Sequence, residues 1–268
     1  MSFYRFTWIV FVFNYALYGM RIIPIPTLIL YQNIAIVIAC LYAGWEAIQV
    51  ARLYDASDKI RSVWILFGVG IASYGVGETF YLWYEGILGE LDVFPTVGDL
   101  FIVAGYGCYL VAYARVLILS RQFYLFPPGH RVLFSIGVIG VSYGLALYFL
   151  ILPTLLAAEG ALANRLLSQM YPVMDLVEIA LCVRLLTLFS FFGSARTARP
   201  WLILCGASLL SLVVDLLYST FFFVDDMGLY FWINPLFLAV YCLMGIAFQK
   251  QKELMADCAD PTTFFSRI

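Results

Sequence analysis

The sequence predicts an all-α, polytopic membrane helix bundle, and three observations carry that prediction. Of 268 residues, 64% are apolar and 12% charged, against roughly 25% charged in a soluble domain, and the mean hydropathy is +0.94. Apolar segments of about 20 residues, the length that crosses a bilayer core, recur along the whole chain between short turns rich in Pro, Gly, Arg or Asp. Lys and Arg gather on alternate turns. No stretch remains from which a soluble core could be built, so residues 1–268 read as a single integral membrane domain.

Eight segments have the required length, at roughly 4–23, 28–52, 62–84, 97–119, 132–152, 170–190, 200–222 and 229–249, with ends good to about three residues. The first, "YRFTWIVFVFNYALYGMRII", sits behind one Arg and is either a retained span or a signal sequence. At about 18 residues it is long for a signal core, and no small-x-small cleavage site follows it. It is taken as an additional amino-terminal helix over 1–26. The other seven form a seven-helix core over 27–250, followed by a cytoplasmic tail over 251–268. With the amino terminus inside, 15 Lys and Arg divide so that all but Arg21 and Arg165 face the cytoplasm, which places both termini there. The outer turns are acidic, with Glu85, Glu90 and Asp92 in one, Glu159 in another, and Asp225 and Asp226 in the last. A net charge of -2 argues against nucleic acid as a partner.

An ionisable residue at the centre of a span costs a few kcal/mol to insert, so it is expected to face the bundle interior or a water-filled cavity. Glu78, Asp99, Asp175, Glu178 and Asp215 all fall within the outer half of a roughly 30 Å core, and Asn234 joins them. Asp175 and Glu178, at i and i+3 in "YPVMDLVEIALCVRLL", share a helix face. Glu46 lies near the inner end of its span, where it is expected to snorkel or to pair with Arg52. The acids also echo one another. Tyr81 follows Glu78 at the spacing at which Tyr218 follows Asp215, and Tyr106 follows Asp99 as Tyr241 follows Asn234. Both sets straddle an outer turn, which predicts a parallel internal repeat. The candidate ligand-binding set is therefore Glu78, Tyr81, Asp99, Tyr106, Asp175, Glu178, Asp215, Tyr218, Asn234 and Tyr241. The bland alternative for each is a private hydrogen bond that packs neighbouring helices.

Other residues point to no further chemistry. Cys40, Cys108, Cys182, Cys205 and Cys242 lie inside predicted spans without metal-like spacing and read as packing residues; Cys258 is in the tail. His130 is the single histidine and belongs to the turn "FPPGHR", which leaves metal and Ser-His arrangements without support. No Lys stands in a predicted span core, so a retinal Schiff base has no attachment point and the cofactor stays unknown. Gly68, Gly70, Gly75 and Gly77 are spaced to let membrane helices approach closely.

Three stretches, "FPTVGDLFIVAGYGCYLVAYARVL", "YPVMDLVEIALCVRLL" and "GASLLSLVVDLLYSTFFF" with the following "WINPLFLAVYCLMGIAF", resemble the heptahelical membrane sensor modules at the amino termini of bacterial diguanylate cyclases and histidine kinases. The resemblance implies a prokaryotic cytoplasmic membrane and a signalling role for Asp99, Asp175 and Asp215. It also implies a separate protein partner, because such modules continue into an output domain where this sequence has "QKQKELMADCADPTTFFSRI". The layout is fainter in its similarity to lysoplasmalogenase-like membrane hydrolases, which would give Glu78 and Asp215 the general acid and base roles. Four expectations follow: a sensory or receptor-like module that binds a small ligand, lipid or proton in an outward-facing acidic pocket, an accessory subunit of a larger membrane complex, a lipid hydrolase, or a small transporter.

Overall fold

The computed structural model describes residues 24–90, 95–120, 162–192, 195–222 and 227–259, with isolated helical positions between 12 and 17 and between 133 and 148; in the second half, side chains are described for 169–186, 198–218, 233 and 235–256. The predicted spans at 4–23 and 132–152 lie largely outside these residues. Six long helices are described: α1 (Ile25–Arg52), α2 (Arg61–Tyr81), α3 (Val97–Leu119), α4 (Leu162–Phe192), α5 (Ala195–Phe222) and α6 (Met227–Ala259). No strand occurs among the described residues. The all-helical prediction is met, and four helical stretches, Ile25–Arg52, Arg61–Leu88, Val97–Leu119 and Ala198–Tyr218, are long and apolar enough to cross a membrane.

Burial follows the pattern of a membrane bundle. On α1, Ile34, Ile38, Leu41 and Trp45 form an exposed apolar stripe, and Leu202, Leu209 and Val213 do the same on α5. The buried set includes Gln32, Asn33, Glu46, Asp99, Asp175, Glu178 and Ser208. A water-soluble bundle would invert this arrangement; an apolar exterior around polar groups suits a hydrocarbon solvent.

The six helices close into a ring in which each packs on the next and α6 returns to α1. Glycine sets the spacing on both sides of α2. A Cβ on Gly68 would come within 2.8 Å of Ile48 Cγ1 and 3.2 Å of the Gly44 carbonyl, both on α1. On the α3 side, Gly70 opposes Gly105 and Gly77 opposes Gly98, and a Cβ on Gly98 would stand 2.8 Å from the Gly77 carbonyl. The reading of these glycines as close-packing residues is met: the 68/75 pair serves α1 and the 70/77 pair serves α3. Beyond α2 the chain widens into a π-helical turn, Leu82–Leu88, closed by Gly89 at φ 74°, a left-handed conformation that suits glycine.

Helix directions follow from side-chain pairs. Tyr171 and Asp175 of α4 meet Asp99 and Tyr106 of α3 in the same order, so the two helices run parallel. At one end of the ring, aromatic rings fill the interior: Phe67 contacts Tyr109, Tyr113, Trp201 and Phe248 at centroid distances of 5.1 to 6.4 Å, and Trp64 lies tilted against Trp201 at 5.3 Å. The other end is the polar one.

Candidate functional site

Two short motifs, Val76-Gly77-Glu78 and Val97-Gly98-Asp99, place a carboxyl beside each member of a glycine pair. The close approach of α2 and α3 therefore occurs beside Glu78 and Asp99, at the end of the ring where α2 finishes and α3 begins. The two acids do different work. Asp99 closes a capping box with Thr96: its Oδ2 accepts the Thr96 backbone N–H at 2.5 Å and the Thr96 hydroxyl at 3.1 Å. Its Oδ1 accepts the Tyr81 hydroxyl at 2.7 Å and, in a very short contact, the Tyr171 hydroxyl. Four donors saturate this carboxylate and tie α2, α3 and α4 together.

Glu78 is half-buried and reaches across the ring, where the Tyr241 hydroxyl of α6 donates to its Oε1 at 2.8 Å. Asp215, also half-buried, makes the matching contact: the Tyr106 hydroxyl of α3 stands 3.1 Å from its Oδ2 and 2.8 Å from Asp175 Oδ1 on α4. Tyr74 links the two pairs, with ring centroids 5.3 Å from Tyr106 and 6.0 Å from Tyr241. Glu78 and Asp215 thus each bond to a tyrosine of a helix across the ring.

Most of the sequence-predicted residues thus meet. Glu78, Tyr81, Asp99, Tyr106, Asp175, Asp215 and Tyr241 form one connected layer. Glu178 lies a turn deeper and accepts the Ser208 hydroxyl at 2.5 Å, and the half-buried Tyr218 packs edge-on to Phe237 at 6.2 Å. The side chain of Asn234 lies outside the described residues. Among the described residues, none of the five carboxylates is paired with Lys, Arg or His; the ion pairs are Lys250–Glu253 and Lys252–Glu46. No group of His, Cys, Asp and Glu there is spaced to hold a metal ion.

Two expectations need correction. Glu85 does not sit in a solvated acidic turn; the π-helical segment turns it inward, it is 8% exposed, and Asn33 Nδ2 of α1 donates to it at 3.2 Å. Glu46 neither snorkels nor pairs with Arg52. Lys252 reaches it at 2.9 Å because α6 continues as helix beyond the expected span end, and Tyr42 donates to it at 2.6 Å. Arg52 instead lies over the Trp45 ring at 5.3 Å. Sequence reasoning also missed Tyr74, Thr96, Tyr171 and Ser208, uncharged residues with no signal of their own in an aromatic-rich chain. No protein-family model matches this chain, and no match is found among the curated proteins or the solved structures.

Proposed function

We propose that the protein is a sensory or receptor-like membrane module that takes a small ligand into an outward-facing recess at the carboxyl-tyrosine layer and reports its binding through helix packing. The observation that carries this reading is the pair of cross-ring links, Tyr241 to Glu78 and Tyr106 to Asp215. A ligand that contacts either half-buried carboxyl competes with a tyrosine anchored on another helix, so occupancy is felt at once by the α2–α6 and α3–α5 contacts. A ligand shifts such an equilibrium by its differential affinity for the two packings. The end with the aromatic filling stays closed, which suits reception at one face. There α6 runs on to Ala259, bonded to α1 through Lys252–Glu46 and to Tyr54 through Gln251 at 3.1 Å. That extension is the element offered to a partner protein.

In this reading the recess faces outward from a prokaryotic cytoplasmic membrane with both termini in the cytoplasm, following the Lys and Arg distribution, and the parallel course of α3 and α4 suits an additional crossing between them. Purification in native lipid followed by mass spectrometry tests it. The expected result is a small molecule or lipid retained by the protein and lost from Glu78→Gln and Asp215→Asn, with a signalling protein co-purifying. A protein that carries nothing, and whose proteolysis pattern no added compound alters, counts against reception.

A transport reading has one observation in its favour. Trp64 and Trp201, Glu78 and Asp215, and Tyr81 and Tyr218 stand at one constant separation in sequence, and Trp64 touches Trp201 across the ring. Tyr109 and Met244, separated like Tyr106 and Tyr241, meet at 3.3 Å. This spacing supports a reading as two parallel repeats about an axis along the membrane normal, as some transporters have. Counterflow of a labelled ligand in liposomes would favour transport over reception.

A further inference from the structure

Tyr106 has a single hydroxyl proton, yet it stands 2.8 Å from Asp175 Oδ1 and 3.1 Å from Asp215 Oδ2. The two carboxyls come from different helices, α4 and α5, and lie within hydrogen-bond reach of each other. Asp175 is 0% exposed, and with both carboxyls ionised its Oδ2 has no donor. Two carboxylates so placed repel, and a buried ion without a counter-charge is costly. No Lys, Arg or His pairs with either of them among the described residues. Asp99, in the same layer, shows what an ionised carboxylate there gathers: four donors. The Asp175–Asp215 pair has the Tyr106 hydroxyl, which is too little for two charges.

We propose that Asp175 and Asp215 share one proton as a carboxylic acid–carboxylate pair, and that this proton clasps α4 to α5 beside α3. An O–H donated to a carboxylate is a short, charge-assisted bond, and it removes the need for a second buried charge. Tyr106 donates to the pair from α3, so one proton and one hydroxyl join three helices. The titratable groups that face the pair are Tyr106 of α3, Tyr74 and Glu78 of α2, and Tyr171 and Glu178 of α4, while Tyr241 of α6 reaches it through Glu78. None of these can carry a positive charge, so none offsets a second negative one. With the proton withdrawn, α4 and α5 lose their bond at this level and face each other as two anions. The layer is thereby a proton-sensitive joint, held when protonated and loosened as pH rises. The clasp needs no ligand, so it stands or falls independently of the receptor reading.

Infrared spectroscopy of the full chain in lipid nanodiscs, with isotope-labelled aspartate to separate Asp from Glu, reads the proton directly. At neutral pH a protonated-aspartate C=O stretch is expected, and it is expected to vanish as the pH is raised. Asp175→Asn and Asp215→Asn each put a fixed N–H donor where the shared proton stands and leave the partner a carboxylate, so the stretch is expected to be absent from both. Thermal unfolding reads the clasp itself. The folded protein holds a proton that the unfolded chain releases, so native stability falls as pH rises, whereas an amide keeps its protons. From neutral to alkaline pH the native midpoint is expected to drop by at least about 3 °C more than that of either variant. A native spectrum without protonated aspartate at neutral pH would overturn the proposal even where neither variant folds. A stretch that persists in both variants, or a midpoint that drops equally in all three proteins, would overturn it as well.

Discussion

Asp99 and Glu78 sit beside the two halves of one glycine contact, but their hydrogen bonding separates their roles. Asp99 holds the first turn of α3 and gathers tyrosines from α2 and α4, so its loss should be felt as stability. Asp99→Asn replaces an acceptor with an N–H₂ donor facing the Thr96 amide or the tyrosine hydroxyls, and is expected to cost about 1–3 kcal/mol. Unfolding in mixed detergent micelles measures this, and the surviving folded protein is expected to retain the co-purifying molecule as the native protein does. Glu78→Gln should reverse the pattern, with small change in stability and a large one in binding. If both variants lose stability and keep binding, the whole layer is structural. The carboxyls were legible in the sequence because each interrupts a long apolar segment, which hydrocarbon tolerates at a cost. Their partners were not. Tyrosine occurs 19 times in the chain, so Tyr74 and Tyr171 stand out only once the fold brings their rings to Tyr106. Asn33 becomes meaningful only when the π-helical turn carries Glu85 inward.

At the scale of elements, the six helices are held by contacts of unequal give. The α2–α3 seam is backbone on backbone. A Cβ on Gly77 would meet Ile102 Cγ1 at 2.6 Å and the Gly98 carbonyl at 2.9 Å, whereas one on Gly107 of α3 finds nothing within 4 Å. Gly77→Ala is therefore expected to destabilise by about 1–3 kcal/mol through overpacking, and, since Glu78 follows directly, to weaken ligand binding as well. Gly107→Ala, which adds a methyl in open space, should be neutral or slightly stabilising because alanine suits a helix better. Equal effects from the two would show that the seam does not depend on close approach. Helix existence was legible here because twenty apolar residues have few other fates, and the glycine spacing disclosed which faces meet. Helix ends were less so. α6 continues to Ala259, past the expected span end, where Tyr54 and Glu46 bond Gln251 and Lys252 from far away in sequence.

For the molecule as a whole, the ring has one polar and one aromatic end, and its orientation decides what the polar end can meet. In the proposed orientation, taken from the Lys and Arg bias, the turn around Asp58, between α1 and α2, is cytoplasmic and the turn after the π-helical segment, at Glu90, is outside. Both residues are exposed; Glu90 accepts a cysteine at little structural cost, and Asp58 gives up one exposed bond, from the Ile60 N–H at 2.9 Å. In a background with the native cysteines replaced, Glu90→Cys should react with a membrane-impermeant maleimide on intact cells, and Asp58→Cys only after permeabilisation. This outcome would set Glu78 and Asp215 toward the outside, where the recess samples the environment, and the Lys252–Glu46 end of α6 toward a cytoplasmic partner. The opposite labelling pattern would turn the recess toward the cytosol. The carboxyl-tyrosine geometry would be unaffected, since it arises within the ring, but a receptor for external compounds would become a monitor of internal ones.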